Sequence, residues 1–395
     1  MTISVWQRTK AHEVIRCDVA IIGAGITGLS AAIECEAKGL TCAIVEASWA
    51  GSKASGRNAG FLIRGAASNY ALSCDMYGRD TTRELWQWTE DNIRELRALG
   101  LESTPGFRSL PSCVGAMAQD ELDELVRSRD MMHEDGLECE LVDSSSGIDD
   151  ALWRSGKVLG GLLNPNDAVC SPYELVGLLS AQLSATPLFE DAEVYRIEVD
   201  DSGCVVRTRG IEVRASRVLV CTNAYGAGLC PSLVEVVKPN RGQMCAVRPA
   251  NPDDAELLCS YYLNHGSEYI RRGEPGEVIM GGARTYHADE EATKSDDVTS
   301  TVQNHLEEFI RELVTTDYVV TARWSGTMGF TRDALPVIGA VDPAQCPGDG
   351  RVWFCGGLTG HGMSMGYKTG RHAIRVMIEG ERTMFGLDRF GSGAG

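Results

Sequence analysis

The 395-residue chain lacks any CxxC pair and any Cys/His cluster at zinc-ligand spacing, although it carries 14 cysteines. That scatter argues against a structural zinc site and against a dithiol redox centre. Cys42, Cys221 and Cys355 sit inside apolar runs, so the thiols read as small buried hydrophobes of a reducing compartment. No run approaches the roughly 18 uninterrupted apolar residues that a membrane span requires. Basic residues are outnumbered, 37 Lys and Arg against 55 Asp and Glu, and the formal charge of −18 speaks against nucleic acid or anionic lipid as a partner. The first 14 residues have no secretory apolar core, and the expectation is a cytoplasmic protein. Internal repeats are lacking too, and low complexity is confined to the terminal GSGAG, within a tail over 386–395 read as flexible. At 43% hydrophobic and 23% charged residues, the chain is long enough for two domains or one large domain with an insertion. Nothing in it speaks to oligomeric state.

What the chain does have is one information-rich stretch, DVAIIGAGITGLSAAIECEAKGLTCAIVE, at residues 18–46. Residues 19–22 form a short apolar strand, and Gly23, Gly25 and Gly28 fill the three glycine positions of GxGxxG, with Ile26 and Thr27 between them. Residues 29–38 continue as a helix that Gly39 stops. A second apolar strand at 42–45 then ends on Glu46, followed by Ala47. The pattern predicts a βαβ unit for a dinucleotide. Gly23 permits the tight turn, Gly25 lets backbone approach a pyrophosphate, and Gly28 lets helix and strand pack closely. The helix N-terminus then faces the anion with unpaired N–H groups, and Glu46 can accept both hydroxyls of a ribose.

Beyond it, residues 51–68 read GSKASGRNAGFLIRGAAS, a small-residue loop suited to backbone packed against a flat ligand. Helical spacing predicts helices over 80–99 and 119–134, a helix started by Ser171 and Pro172, and another near 298–313. The tryptophans of the 80–99 segment read as core. Strands are expected at 192–199, 204–209 and 216–223, and antiparallel strands at 236–247, 268–272 and 277–282. Adjacent Arg271 and Arg272 read either as a local basic patch in a cleft or as a solvated strand end.

A second rich region runs WSGTMGFTRDALPVIGAV from Trp324, then VWFCGGLTGHGMSMGYKTG from Val352. Taken with the βαβ unit, the SGRNAG loop and the strand ending CTNAYG, these blocks resemble the D-amino-acid oxidase superfamily of flavoproteins, in the branch of glycine, sarcosine and gamma-glutamylputrescine oxidases. The resemblance implies an α/β protein: a discontinuous Rossmann-like FAD-binding domain (16–80, 145–230 and 324–385) and a second, α+β substrate domain built on an antiparallel sheet (81–144 and 231–323). It implies FAD held by Gly23, Gly25, Ile26, Thr27, Gly28, Glu46 and Ala47, and by Ser55, Gly56, Arg57, Asn58, Ala59 and Gly60 of the polar loop. Val194 falls where the family brings backbone to the adenine, and Thr222, Asn223 and Ala224 close the strand near the pyrophosphate. Gly329, Gly356, Gly357, Thr359, Gly360, His361, Gly362 and Met363 would shape the flavin site, their N–H groups facing the edge that becomes negative on reduction. His361 also reads as a structural histidine satisfied by backbone.

Departures from the family pattern carry information. No cysteine lies in 324–332, where some sarcosine oxidases attach their flavin, so noncovalent FAD is expected. The lysine those enzymes carry after the GHG turn is replaced by Met363 and Ser364. Arg64 falls where the family places a substrate-binding arginine, with a structural ion pair as its other reading. Arg64, Tyr269, Arg271, Trp324 and His361 are therefore the candidate catalytic and substrate residues, and no metal is expected. The expected chemistry is oxidation of a small amine or amino acid: hydride leaves the C–H bond beside a neutral nitrogen for flavin N5, the imine is hydrolysed, and oxygen reoxidises the flavin to give hydrogen peroxide. The strand YIRRG lacks the lysine with which family oxidases promote oxygen reaction, which keeps open a dehydrogenase using a quinone or protein acceptor. A flavin-binding subunit or sensor without turnover is a third reading.

Overall fold

The computed structural model describes residues 13–342 and 350–391. They form two units: 13–57, 173–240 and 327–391 in the first, and 58–172 with 241–326 in the second. Residues 58–80 and 145–172, expected with the cofactor domain, pack in the second unit. The reason is pairing with that unit's sheet: Gly160–Asn164 runs antiparallel to Ser112–Ala116, and Phe61 packs edge-on against Tyr262 and Tyr269.

The first unit is built on a mainly parallel sheet. Strand β1 (Glu13–Ile22) lies between β2 (Cys42–Val45) and Ile211–Val220, all in parallel register. Leu188–Phe189 extends the sheet beyond β2, while Val352–Gly356 and then Val337–Ala340 extend it beyond Ile211–Val220. Residues 19–22 and 42–45 are buried throughout, as apolar runs covered on both faces must be. Helix α1 (Ile26–Ala37) packs on the Gly362–Glu379 helix through glycines. A Cβ on Gly370 would strike the Thr27 carbonyl, and one on Gly366 would lie 3.1 Å from Ile26. At the far end of α1, the buried Glu34 accepts from Arg371 Nε at 2.8 Å and Arg375 Nη1 at 3.2 Å.

The second unit holds an eight-stranded, mostly antiparallel sheet, in spatial order Tyr318–Phe330, Lys238–Pro249, Val278–Gly282, Glu268–Arg272, Ser260–Leu263, Ser112–Ala116, Gly160–Asn164 and Glu140–Val142. One face packs Cys245, Val247, Tyr261, Ile270 and Met280 against Val302, Leu306 and Ile310 of the Ser300–Leu313 helix. Met244, Tyr262, Tyr269, Ile279 and Trp324 cluster instead with Ala59, Phe61 and Ile63. Alternation along Tyr261–Tyr262 and Tyr269–Ile270 assigns each neighbour to an opposite cluster.

Helices at Arg79–Ala98, Gln119–Glu134 and Ser300–Leu313 lie within two residues of their sequence expectation. Trp86 is buried edge-on against Tyr70, so it is core. The strand expected at 192–199 begins at Arg196, because Ala192 instead donates its N–H to the Glu46 carbonyl. Among the described residues 13 cysteines are free thiols, no group of three or more His, Cys, Asp or Glu could hold a metal, and no helix is long and apolar enough to cross a membrane. Residues 387–390, expected in a flexible tail, form a short 3-10 turn, and Leu387 and Phe390 pack on the core of the parallel sheet. Residues 392–395 of that tail lie outside the described residues, as does most of the N-terminal lead-in.

Burial works to raise the Glu34 carboxyl, but the hydrogen bonds and charges of Arg371 and Arg375 outweigh it and hold it below its ordinary value of 4.5. Its stabilisation is thus complete above the unfolded-state value and is lost as pH falls through the lower folded value. Glu34→Gln should cost about 2 kcal/mol at pH 7 in urea denaturation, a gap that should narrow steadily below about pH 4.

Candidate functional site

The site in the first unit starts at the β1–α1 turn. Gly23 has φ of +105°, a conformation open to glycine, and its missing Cβ leaves room for the Cys221 carbonyl at 3.0 Å. A Cβ on Gly28 would collide with the Gly23 carbonyl, and one on Gly25 would lie 2.7 Å from Ser55 Oγ. No side chain of α1 caps its own N-terminus. Instead Ser55 Oγ accepts the N–H of Ile26 at 3.0 Å, and Gly51 N–H bonds the Ala24 carbonyl at 3.1 Å, so the small-residue loop is held against the glycine turn. The first turn itself contains no acidic residue. Glu46, at the end of β2, accepts from Ala24 N at 2.8 Å through Oε2 and from Ser48 N at 3.0 Å through Oε1. These bonds aim its carboxylate and leave each oxygen a lone pair for a ribose hydroxyl.

The end of the Ile211–Val220 strand forms the next wall. Cys221 N–H bonds the Ile22 carbonyl at 2.8 Å, which holds this strand end beside the glycine turn. Thr222 Oγ1 is buried with no hydrogen-bond partner among the described residues. Burying a hydroxyl without a partner costs about 1 to 3 kcal/mol, so an orphan beside a glycine turn at a helix N-terminus fits a donor for an oxygen of a bound ligand. Asn223, at φ of +47°, accepts the Gly357 N–H at 2.8 Å, and a Cβ on Gly329 would overlap its amide oxygen. Ala224 is buried behind it. Lys53 places its ammonium 5.6 Å above the Tyr225 ring, adding positive charge to the same unit.

The third wall is the turn from Gly356 to Met363. Gly357, Thr359 and Gly360 all have positive φ (+67°, +45° and +80°), and Thr359 N–H bonds the Gly329 carbonyl at 2.9 Å. His361 is the N-cap residue of the Gly362–Glu379 helix, and its Nδ1 lies 3.1 Å from the Thr359 carbonyl. Met363 is buried at the start of that helix. Val194 sits among buried residues of the sheet core. Gly23 to Gly28, Glu46, Ser55, Thr222 to Ala224, Gly329 and Gly356 to Met363 therefore all belong to one unit. It brings together two glycine turns, the Glu46 carboxylate, the Thr222 hydroxyl and the N-terminus of α1.

Arg64, Tyr269, Arg271 and Trp324 belong to the second unit, as do Asn58, Ala59 and Gly60, whereas Ala47, Gly56 and Arg57 lie in the first. Arg64 is buried: Nε donates to Asn164 at 3.0 Å, Nη1 pairs with Glu90 at 3.0 Å, and Nη2 has no hydrogen-bond partner among the described residues. Asp167 accepts the Arg64 backbone N–H at 3.1 Å and the Ser112 hydroxyl at 2.5 Å, yet burial pushes its carboxyl up to about 7. Arg271 is also buried, and among the described residues its guanidinium bonds carbonyls, those of Ala59, Cys170 and Arg272. Burial lowers its guanidinium to about 10. It ties Ala59 and Cys170 together, and Gly60, at φ of +75°, is required because a Cβ there would strike Cys170. Tyr269 donates its hydroxyl to Met244 Sδ at 3.4 Å and packs 5.7 Å from Tyr262 and 5.9 Å from Phe61, in the cluster that includes Trp324. Tyr262 is absent from the sequence-derived set; period-2 alternation with Tyr269 on the neighbouring strand is the signal that finds it.

Comparison with known proteins agrees with this architecture. Gamma-glutamylputrescine oxidoreductase of Escherichia coli (strain K12) is 27% identical over 394 residues, covering 95% of this chain and 86% of that protein. Glycine oxidase of Geobacillus kaustophilus (strain HTA426) is 24% identical over 383 residues, covering 95% and 96%. The crystal structure of glycine oxidase from Geobacillus kaustophilus matches with a TM-score of 0.76 at 22% identity, covering 95% of this chain and 98% of that one. That of L-proline dehydrogenase from P. horikoshii matches at 0.74 and 16% identity, covering 95% and 96%. The pattern of the FAD dependent oxidoreductase family, DAO, runs through residues 18–375, and the chain belongs to that family.

Proposed function

We propose that the protein is an oxidase of a small amine or amino acid, that it holds FAD noncovalently, and that it returns electrons to oxygen as hydrogen peroxide in the cytoplasm. The observation that carries this reading is the meeting of two glycine turns, 23–28 and 356–362, at the strand end Cys221–Asn223. Relatives named as an oxidoreductase of gamma-glutamylputrescine and an oxidase of glycine supply the substrate class. Noncovalent attachment is supported by Cys221 and Cys355, which are buried thiols raised well above their ordinary range by burial, hence unreactive.

When bound, FAD supplies the two-electron acceptor for the C–H bond beside the substrate nitrogen. The chain's own groups do the rest. The N-terminus of α1, Ser55 and Thr222 hold the pyrophosphate, and Glu46 the ribose. Backbone N–H groups of the Gly356–Gly362 turn stabilise negative charge. Arg64 offers its unpartnered Nη2 to an acidic group of the substrate, and Tyr269 with Trp324 gives an apolar surface that favours the neutral amine. One observation favours a dehydrogenase instead: the Glu268–Arg272 strand has no lysine, and its Arg271 is engaged by carbonyls.

Anaerobic titration with D-, L-, N-methyl and polyamine substrates should bleach the absorbance near 450 nm with one class, and air should restore it with peroxide release. Slow recovery in air moves the assignment to a dehydrogenase; a yellow protein that nothing bleaches removes the catalytic reading. Acid precipitation should leave the yellow colour in the supernatant, whereas a yellow pellet means a covalent flavin. Thr222→Val should weaken FAD binding about tenfold in equilibrium titration without lowering the melting temperature of the apoprotein. Arg64→Lys should raise KM about tenfold at unchanged FAD stoichiometry; an unaltered KM takes Arg64 out of the substrate site.

A further inference from the structure

The C-terminal segment supplies a feature that the cofactor site does not account for. Arg389 donates Nε to Asp333 at 2.6 Å, and Nη2 to the carbonyls of Leu335 at 2.9 Å and Pro336 at 2.6 Å, while Nη1 bonds the Gly386 carbonyl at 2.9 Å. One guanidinium thus grips both sides of Ala334, a non-glycine residue at φ of +58°. An L-residue persists in that conformation only where its surroundings over-determine it. The grip is itself braced. The Phe390 ring lies 4.9 Å from the Arg332 guanidinium and 4.5 Å from that of Arg389, and Arg332 Nη2 bonds the Arg389 carbonyl at 3.3 Å. Ile338 N–H bonds the Phe385 carbonyl at 2.8 Å, which docks the same segment on the adjoining strand. Burial works to raise the Asp333 carboxyl, and the Arg389 hydrogen bonds and charge prevail over it.

From this turn a chain of hydrogen bonds runs to the cofactor end of the unit. The Leu335 carbonyl that Arg389 holds also accepts the Thr331 hydroxyl at 2.8 Å. Thr331 N–H donates to Thr359 Oγ1 at 3.3 Å, and the two hydroxyls lie 3.3 Å apart. Thr359, at φ of +45°, in turn donates its hydroxyl to the Gly357 carbonyl at 3.2 Å and its N–H to the Gly329 carbonyl at 2.9 Å. Thr331 and Thr359 are both buried, so water does not compete for these groups.

We propose that Arg389 is a positioning residue: by clamping the Asp333–Pro336 turn it fixes Thr331 and, through Thr359, the direction in which the N–H groups of the Gly356–Gly362 turn point. The effect on chemistry rests on the reading above that this turn faces the flavin. Loosening the clamp leaves the pyrophosphate and ribose contacts of the β1–α1 turn in place, so FAD stays bound. Stabilisation of the reduced, anionic ring weakens, because donors fixed in advance serve that charge better than donors that must reorient.

The test compares the FAD-loaded full-length protein with its Arg389→Met variant. Two readings are taken: the two-electron midpoint potential of the flavin, and amide hydrogen exchange of peptides covering 329–337 and 356–363. The expected result is full FAD content, faster exchange in both peptides, and an about tenfold loss in relative stabilisation of the reduced flavin, which is a potential about 30 mV lower. Arg389→Lys, which keeps the charge but reaches fewer acceptors at once, should recover part of the shift. Unchanged exchange together with an unchanged potential overturns the proposal, and so does faster exchange with an unchanged potential, which reduces Arg389 to a structural role. Should the Met variant not fold, Asp333→Asn gives the same reading by removing the carboxylate from the clamp: a lowered potential supports the proposal and an unaltered one overturns it. Wild-type protein that takes up no FAD would refute the flavin reading, while exchange would still report on the clamp.

Discussion

Close approach of backbone to backbone is the constraint on which the cofactor unit depends. Gly28 rests on the carbonyl of Gly23, Gly370 on that of Thr27, and Gly23 on that of Cys221. Each contact removes the space of a Cβ, and each brings a helix or a strand end nearer to the β1–α1 turn than an ordinary residue allows. The parallel sheet supplies the rigid floor, since its central strands are buried on both faces. The glycines decide how closely the two helices, α1 and Gly362–Glu379, can approach each other above it.

Charge is distributed with the same logic. The chain carries a formal −18, yet the open end of α1 has no acidic residue in its first turn, and Lys53 stands within the same unit. The carboxylates that are buried in this unit have assigned partners: Glu34 takes Arg371 and Arg375, and it acts at the opposite end of α1 from the glycines. In the second unit, Arg64 pairs with Glu90 and donates its backbone N–H to Asp167, whose carboxyl burial pushes up to about 7.

Legibility in the sequence followed the range of the interaction. The βαβ unit was readable because its strand, glycines, helix and acid are neighbours along the chain, and each residue type answers a local steric or hydrogen-bonding demand. Amphipathic helices such as Gln119–Glu134 were readable for the same reason: the period of the apolar residues is local. Short strands at Ser112–Ala116, Glu140–Val142, Gly160–Asn164 and Ser260–Leu263 escaped notice, since their apolar content is modest and their burial comes from partners far along the chain. The assignment of 58–80 and 145–172 was not readable either, because it follows from the pairing of Gly160–Asn164 with Ser112–Ala116 and the packing of Phe61 on Tyr262 and Tyr269.

By itself the sequence determined that a βαβ unit with its glycine turn, an acid at the end of the second strand and the motifs of an FAD dependent oxidoreductase family belong to this protein, because those features lie within short segments. Only the tertiary structure decided what distant side chains do. It left the Thr222 hydroxyl without a partner among the described residues, surrounded Arg271 with carbonyls, paired Arg64 with Glu90 and turned a segment read as tail into a clamp on the Asp333–Pro336 turn. These outcomes depend on which groups meet across hundreds of residues, and a buried donor or charge takes whatever acceptor the fold brings within reach.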